Sequence, residues 1–519
     1  MHILRFAAIA TVAMSTSLIA ATPRDTQQQT LPRTADGKPD LQGIWQASGS
    51  AGADLQDHAA SLNMPAGRSV VAGGTIPYQA WAAAKKAENF QHRQTEDPYE
   101  KCWLPGVPRV MTMDYPFQIF QTPKMVTMAF EWELEYRLIY TDGSKHPADD
   151  SFWMGDSRGH WEGDTLVVDV ADINDKTWLD MAGDFHSDAM HVVERYRMAG
   201  RDTIQYEATI EDPKVFTKPW TINLTLNRRT DRDRLFEYVC EEEKEEVTGA
   251  FTREDRTWYP GSPAAPAVKM EDVASKPTPP AAPVANLRRT PDGKPDLGGF
   301  YESVTRGANQ GLERQGRGGG GPSTIVDPPT GMLPMQPWAA KEKVSRNLTE
   351  RGYDDPTAHC FPQGVPRSMY VPQGIQLVQT PEYIVLLYER TSWRIVPLLA
   401  GRKHLPDSMR LWQGDSIGHW EGDTLVIDTT NLNGKTWLNE GGEIVSYAEH
   451  VVERFTPAAP DTLNYEATVT DPVVYTRPWT IAFPVKRENF ELREAACLEE
   501  EHDLPHLKAL KDAAAAKAR

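Results

Sequence analysis

The amino-acid sequence predicts a mainly β protein made of two tandem antiparallel β-barrel domains, each with one or two short helices. Three features support this fold class: a long internal duplication, many short runs of β-branched and aromatic residues, and turn-forming residues between those runs. With 519 residues, the chain has room for two domains. Its 55 basic and 73 acidic residues give a formal charge of −18. We therefore expect no nucleic-acid partner, because binding to phosphates needs clustered lysine and arginine.

Motifs of the first half return in the second half, 256 to 259 residues later. The motif Arg-Thr-x-Asp-Gly-Lys-Pro-Asp-Leu occurs at 33–41 and again at 289–297. Of the 13 positions from 155 to 167, 12 equal those from 414 to 426, and only Arg158 differs from its counterpart, Ile417. Such repetition indicates a tandem duplication. We expect a first β-domain at 22–259 and a second at 287–519, the second ending in a short helix.

Two segments are expected to lie outside the barrels. Residues 1–21 contain an early arginine, an apolar run from Phe6 to Ala20 and small residues at the end, which is typical of a signal peptide. Residues 260–286 are rich in proline and alanine and predict an extended linker. No other stretch reaches the ~18 apolar residues of a membrane helix. We therefore expect a periplasmic or secreted protein without an integral membrane segment in the mature chain, whose two halves fold independently with modest mutual contact.

The strands of the first copy are predicted from short β-rich runs bounded by turn residues. They are expected at Val126–Trp132, Arg137–Thr141, Thr165–Val170, Met190–Tyr196, Thr203–Ile210, Trp220–Leu226 and Leu235–Val239. The segment Trp161–Asp169 indicates a hairpin with a Gly163-Asp164 turn. Helices are expected at Trp81–Phe90 and Trp338–Leu348. Sequential strands with tight turns favour a barrel or a sandwich over an α/β fold.

Two resemblances extend this prediction. Gly43-Ile-Trp45, echoed by Gly299-Phe-Tyr301, resembles the first strand of lipocalin-type barrels and favours a barrel over a sandwich. Gly-Val-Pro-Arg, Gly-Asp-Ser-x-Gly-x-Trp-Glu-Gly-Asp-Thr-Leu-Val-Val-Asp, His-Val-Val-Glu-Arg and Pro-Trp-Thr together resemble a family of exported bacterial proteins of unassigned function. This resemblance implies export and a bacterial source but no activity. The family's His-Ser-Asp/Glu-Ala-x-His stretch occurs at His186–His191, whereas the second copy has Val445 in place of the first histidine.

The four cysteines fall as one pair in each copy. An even, duplicated set in an exported chain predicts disulfides within each copy, Cys102 with Cys240 and Cys360 with Cys497. The alternative is a site in which two thiolates bind a metal ion, which favours closer cysteine spacing or paired histidines.

Candidate site residues come from the polar and aromatic residues that the copies share. Histidine and carboxylate side chains can perform acid–base chemistry near neutral pH. The catalytic candidates are His146, Asp156, His160, His186 and His191. The ligand-binding candidates are Arg109, Trp153 and Trp178 in the first copy and His404, Trp412, Asp415, His419 and His450 in the second. Core packing is the alternative for each tryptophan.

Two classes of function follow from these residues. The first is an exported protein that binds a small apolar, aromatic or sugar-like ligand. The alternative is a hydrolase or lyase that uses histidine and carboxylate acid–base chemistry in the first domain. No His-Glu-x-x-His, Cys-x-x-Cys or His-x-His spacing occurs, so we expect neither a metal nor another cofactor. Gly155-Asp-Ser157-x-Gly159 matches a nucleophile elbow in letters, but a hairpin follows it where that motif needs a helix.

Overall fold

The structure is a computed structural model that describes residues 31–61, 65–148, 150–242, 284–314, 321–347, 349–390 and 392–518. Within these ranges, two similar nine-stranded sheets curl into barrels, one in each copy, which confirms the predicted fold class. No helix in these ranges is long and apolar enough to cross a membrane. The predicted signal peptide and all of the linker before residue 284 lie outside the described residues, as does the predicted domain boundary at 259.

The first barrel is closed by nine strands that follow one another around the sheet, with β9 pairing to β1. All neighbouring strands are antiparallel except β4 and β5, which are parallel because residues 141–155 return the chain to the other end of the barrel. The strands are β1 (Gly43–Ala47), β2 (Phe117–Thr122), β3 (Met125–Phe130), β4 (Tyr136–Tyr140), β5 (Asp156–Glu162), β6 (Thr165–Ala171), β7 (His191–Gly200), β8 (Thr203–Glu211) and β9 (Trp220–Arg228).

The second barrel repeats this order but is not closed by hydrogen bonds in the described part of the chain. Pro397 stands where β4 has Tyr140, and it has no amide hydrogen to donate to the next strand. The strands are β10 (Gly299–Ser303), β11 (Ile325–Asp327, a short addition beside β19), β12 (Ile375–Gln379), β13 (Tyr383–Tyr388), β14 (Ser392–Pro397), β15 (Asp415–Glu421), β16 (Thr424–Thr430), β17 (His450–Ala459), β18 (Thr462–Thr470) and β19 (Trp479–Glu488).

Helices cover the barrels and extend the chain at its end. The predicted helices near Trp81 and Trp338 are present with bounds that differ by a few residues, the first running six residues further than expected. The α-helices are α1 (Ala80–Glu96), α2 (Arg109–Thr112), α3 (Pro337–Arg346), α4 (Cys497–Glu500) and α5 (Leu504–Ala518). Short 3-10 helices lie at Pro98–Lys101, Arg306–Gln310, Thr349–Asp354, Pro356–His359 and Arg367–Met369.

Alternation along the strands separates a core face from an outer face. In β7, Val192, Glu194 and Tyr196 are buried and point into the barrel, while His191 and Val193 lie on the outer face. Strands β2 and β3 are buried almost throughout, because their outer faces are covered by the other copy. Both predicted disulfides are confirmed, Cys102–Cys240 with its Cα atoms 5.6 Å apart and Cys360–Cys497 with its Cα atoms 5.8 Å apart.

The two copies share a hydrophobic core, so the expectation of modest mutual contact is wrong. The Nε1–H of Trp393 donates a 2.7 Å hydrogen bond to the backbone oxygen of Phe130, and the Tyr136 hydroxyl donates to the backbone oxygen of Tyr388 at 3.1 Å. The buried apolar residues of this inter-copy core are Ile44, Phe120, Met125, Ala129, Leu134, Tyr136 and Leu235 from the first copy and Phe300, Val378, Val385, Leu387, Trp393 and Leu492 from the second.

After its last strand, each copy extends a segment onto the other copy. We call residues 233–242 tail one and residues 489–499 tail two. In tail two, the Glu494 carboxylate accepts the backbone N–H of Trp153 at 2.7 Å and that of Met154 at 2.8 Å. In tail one, the Glu237 carboxylate accepts the equivalent N–H groups of Trp412 and Gln413. The predicted strand at Leu235–Val239 is therefore wrong: this segment makes one isolated β-bridge, between Tyr238 and Trp132, and otherwise runs between the copies.

Candidate functional site: an inter-copy cleft and two histidine–aspartate chains

A cleft of about 520 Å³ lies between the first barrel and tail two. Strand β4 and the connection from β4 to β5 form one wall, and residues 489–494 form the other. Aromatic and acidic side chains line it together. The aromatic ones are Tyr136, Tyr140, Phe152 and Phe490, and the acidic ones are Glu135, Asp142, Asp150, Asp156, Glu491 and Glu494.

Two polar atoms of the cleft residues are buried without a hydrogen-bond partner in the described part of the chain. The Glu135 carboxyl accepts the backbone N–H of Tyr136 at 3.0 Å through Oε1, while Oε2 has no partner. The Tyr140 hydroxyl also has none. Burial, with repulsion from Glu494, raises the pKa of Glu135 well above its usual range, and burial likewise raises the pKa of Tyr140. Burial thus favours the protonated form of both groups, and in that form each can donate a hydrogen bond to a neutral ligand.

The equivalent place beside the second barrel is nearly closed, with a volume of about 50 Å³. Arg234 of tail one reaches into it and donates a 2.7 Å hydrogen bond to Asp415. Tail two has Glu491 at the position of Arg234, and Glu491 instead pairs with Arg158 at 2.8 Å. The two tails thus have opposite charges at this position, Arg234 in tail one and Glu491 in tail two. The partner of Glu491, Arg158, is also the one residue of 155–167 that differs from the second copy, which has Ile417 there. The first copy has the larger cleft.

A chain of alternating aspartate and histidine side chains crosses strands β5, β6 and β7 of the first copy. Nδ1 of His146 lies 2.6 Å from Oδ2 of Asp156, and its Nε2 lies 3.7 Å from Oδ1 of Asp169. Nε2 of His191 lies 2.5 Å from the same Asp169 oxygen. Three predicted candidates, His146, Asp156 and His191, are therefore brought together, with Asp169 between the two histidines.

The second copy repeats this chain with Asp415, His404, Asp428 and His450. His404 lies 3.1 Å from Asp415 and 3.2 Å from Asp428, and His450 lies 3.0 Å from Asp428. Hydrogen bonds to Asp415 and Asp428 raise the pKa of His404 to about 9. Despite partial burial, hydrogen bonds to His404 and His450 hold the pKa of Asp428 below its usual range. His404 is therefore an imidazolium at neutral pH and poorly suited to exchange protons there.

Both chains lie on the outer faces of the barrels, because Asp156, Asp169 and His191 occupy outward positions of their strands. The first barrel is filled by a different polar network. Buried Arg137 is paired with buried Glu194, and its Nε donates to Ser157 at 3.0 Å. Arg394, Glu453 and Ser416 repeat this network in the second copy. Ser157 is thus a buried acceptor for an arginine and not an exposed nucleophile.

The remaining histidine candidates lie apart from the chains. His160 and His419 are exposed and pair with Glu162 and Glu421 beside the hairpin turns. His186 is buried, with Nε2 2.6 Å from the Thr177 hydroxyl and Nδ1 3.1 Å from the backbone oxygen of Ser187. Burial lowers the pKa of His186, which keeps its ring neutral. The second copy fills the same place with buried Val445, so the position accepts an apolar side chain.

The arginine and tryptophan candidates pack inside the molecule. Arg109 is buried and donates to both carboxylate oxygens of Asp97, at 2.6 and 2.7 Å. Trp153 and Trp412 are buried beside the tails of the opposite copy, and Nε1 of Trp412 donates to Glu242 at 2.7 Å. Trp178 is partly buried and forms a β-bridge with Phe185.

The sequence prediction missed Asp169, Asp428 and the cleft residues Glu135 and Tyr140. Asp169 and Asp428 are the charged residues of strands β6 and β16 and occupy outward positions, which is a signal that strand alternation offers. Glu135 lies in a turn and joins the cleft only through tail two, so its local sequence carries no comparable signal.

The fold and the site can be compared with known proteins. No protein-family model matches the chain, and no curated protein matches it.

Proposed function

We propose that this protein is an exported binding protein that holds a small sugar-like ligand in the cleft between the first barrel and tail two. The observation that carries the proposal is the pair of buried, unpartnered polar atoms, Glu135 Oε2 and Tyr140 Oη, on residues lining a 520 Å³ cleft with aromatic walls. Buried polar groups normally have hydrogen-bond partners, and ligand sites combine apolar walls with a few such groups.

The chemistry of the walls favours a neutral polyhydroxylated ring over other small molecules. Aromatic faces pack against the C–H faces of such a ring, and carboxylates and tyrosines bind its hydroxyl groups. Six acidic side chains line the cleft against two arginines, Arg137 and Arg493, so an anionic ligand would be disfavoured. A wholly apolar ligand would leave Glu135 Oε2 and Tyr140 Oη without partners.

Two further features support export as part of this proposal. Disulfides form and persist in oxidising compartments such as the periplasm or the extracellular medium, and each copy has one. The apolar run after Arg5 is typical of a signal peptide.

A second candidate function, acid–base catalysis by a hydrolase or lyase, is favoured by one contact. Asp156 lines the cleft and also lies 2.6 Å from Nδ1 of His146. In such an enzyme, Asp156 would orient the ring while Nε2 of His146 carries the proton that is exchanged with the substrate. Because Nε2 lies 3.7 Å from Asp169, only a modest ring movement would release it from that neighbour.

The test is a calorimetric screen of mono- and disaccharides against the purified protein and two cleft variants, Glu135→Gln and Tyr140→Phe. Removing one ligand hydrogen bond by Tyr140→Phe should weaken binding by about tenfold, since such bonds contribute about 0.5–1.5 kcal/mol. The matched control is Tyr388→Phe, which removes another buried tyrosine hydroxyl outside the cleft. It should leave the affinity unchanged.

Two outcomes would contradict the proposal. One is that no saccharide binds. The other is that a saccharide binds with the same affinity to the wild type and to both cleft variants. If the bound saccharide is converted to product and His146→Gln stops the conversion without changing the affinity, the protein is the enzyme of the second candidate.

A further inference from the structure

Three carboxylates meet in the first copy, away from the residues of the cleft. They belong to Asp54, which follows β1, and to Asp180 and Asp184, in the loop between β6 and β7. One oxygen of each lies within 4.8 Å of one oxygen of each of the others. Asp180 and Asp184 are completely buried, and Asp54 is partly exposed, which leaves a route from solvent.

Backbone contacts hold the carboxylate of Asp180 in place. Its Oδ2 accepts the backbone N–H of Leu55 at 3.0 Å, and its Oδ1 accepts those of Ala182 and Asp184 at 2.9 and 3.1 Å. The loop after β1 and the loop after β6 are thereby joined through this one side chain. The acidic cluster is therefore held by the fold independently of any ligand.

The second copy has different residues at the positions of these three aspartates. There, Asn439 replaces Asp180, Glu443 replaces Asp184, and Gly311 stands in place of Asp54. The amide of Asn439 donates a hydrogen bond to Glu443, so the equivalent contact contains a hydrogen atom. Two ionised carboxylates are hydrogen-bond acceptors only, so a close contact between them needs a proton or a metal cation to bridge them.

One oxygen of this three-aspartate cluster is buried without a hydrogen-bond partner among the described residues. Oδ1 of Asp184 accepts the Tyr78 hydroxyl at 2.6 Å, but its buried Oδ2 has no hydrogen-bond partner in the described ranges. The Lys86 ammonium lies 3.8 Å from that oxygen, outside hydrogen-bonding distance. In the second copy, Lys343 bonds directly to the equivalent carboxylate, Glu443, at 2.8 Å.

We infer that Asp54, Asp180 and Asp184 bind a divalent cation of the Ca²⁺ class, in the first copy alone. When all three aspartates are ionised, they carry three negative charges beside one lysine, and one divalent ion would balance the remainder. Oxygen ligands about 2.4 Å from a Ca²⁺ ion lie at most about 4.8 Å apart, so these three oxygens are close enough together to bind one ion. The absence of histidine and cysteine from the set disfavours Zn²⁺.

The experiment compares Ca²⁺ binding by chelator-treated full-length protein with that by two acid-to-amide variants. Asp180→Asn reproduces the residue of the second copy, so the fold should accept it, while the site loses one anionic ligand. Asp188→Asn is the matched control, because Asp188 is exposed near the same loop and pairs with Lys214 at the surface. Calorimetry and the melting temperature Tm are measured for each protein with CaCl₂ and with MgCl₂.

The wild type and Asp188→Asn should bind one Ca²⁺ ion per chain through this site. Their Tm should rise by about 5 °C when Ca²⁺ is at a hundredfold excess over Kd. Asp180→Asn should lose both the binding and the Ca²⁺-dependent rise. Asp54→Asn is the second test variant, for use if Asp180→Asn does not fold. It keeps the side-chain oxygen that accepts the Gln56 N–H, and it should also lose Ca²⁺ binding.

Either of two results would overturn the inference. In the first, the chelated wild type neither binds Ca²⁺ nor changes its Tm, as expected if Asp180 and Asp184 share a proton instead. In the second, Ca²⁺ binds equally well to the wild type, to Asp180→Asn and to Asp54→Asn, which would place the ion elsewhere.

Discussion

Replacing Glu449 with methionine should stabilise the protein, and increasingly so as the pH rises. Glu449 is 2% exposed, and neither of its carboxyl oxygens has a hydrogen-bond partner among the described residues. Met190 occupies the equivalent position of the first copy and is buried as well. Both backbone N–H groups make the same 3.1 Å turn bond, to Ser446 and Ser187. The second copy therefore has a backbone that should accept methionine without rearrangement.

The gain has a constant part and a pH-dependent part. Burying a neutral carboxyl without partners costs about 1–3 kcal/mol, which methionine removes at every pH. Burial and the nearby charge of Asp471 raise the pKa of Glu449 well above its usual value of 4.5. A raised carboxyl pKa favours folding below the unfolded pKa, and this advantage is lost as the pH rises towards the folded pKa. The gain from methionine should therefore grow by about 1.4 kcal/mol per pH unit in that window.

The assay is urea unfolding followed by tryptophan fluorescence, with both disulfides intact, at pH 5.5 and pH 7.0. Between these values, the stability difference between Glu449→Met and the wild type should increase, by about 1.4 kcal/mol for each pH unit that lies below the folded pKa of Glu449. Glu449→Gln keeps a buried polar group that cannot ionise, so its stability relative to Glu449→Met should not change with pH. The reasoning is refuted if Glu449→Met is less stable than the wild type, or if its advantage is the same at both pH values.

Three further outcomes follow from the structure. The isolated fragment Thr22–Pro260 should dimerise or aggregate, because it exposes its half of the inter-copy core; a stable monomer in size-exclusion chromatography with light scattering would contradict this. Glu494→Ala should destabilise the protein by about 2 kcal/mol and speed amide hydrogen exchange at residues 153–154, since a charged acceptor of two backbone N–H groups is lost. The ring of His404 should titrate by NMR near pH 9, and nearer its usual 6.5 in Asp428→Asn. Because the folded pKa of His404 is raised, the contribution of this residue to stability is complete below pH 6.5 and lost by about pH 9. A wild-type His404 pKa near 6.5 would contradict this prediction.

Much of the fold follows from local sequence. The duplicated motifs predict two domains of one kind, and alternation of apolar and polar residues predicts the faces of strands such as His191–Gly200. The Gly163-Asp164 hairpin turn is likewise local. The duplicated cysteine spacing predicted both disulfides, because equivalent residues of two similar domains meet equivalent partners.

The sequence also predicts part of the candidate site. His146, Asp156 and His191 are among the polar residues that the copies share, and they converge in the structure. Their link, Asp169, requires the pairing register of β6 with β7, which residue spacing alone does not supply.

Only the tertiary structure decided how the two copies meet. Leu235–Val239 has the composition of a strand, yet it runs between the barrels with Glu237 bound to backbone N–H groups of the other copy. The ion pairs between each tail and the opposite barrel, Glu491 with Arg158 and Arg234 with Asp415, join residues more than 150 positions apart. Periodicity specifies which face of a strand is apolar, because that face is set by neighbouring residues. Which distant segment covers that face depends on the packing of the whole chain, and residues far apart in sequence leave no local pattern of that contact.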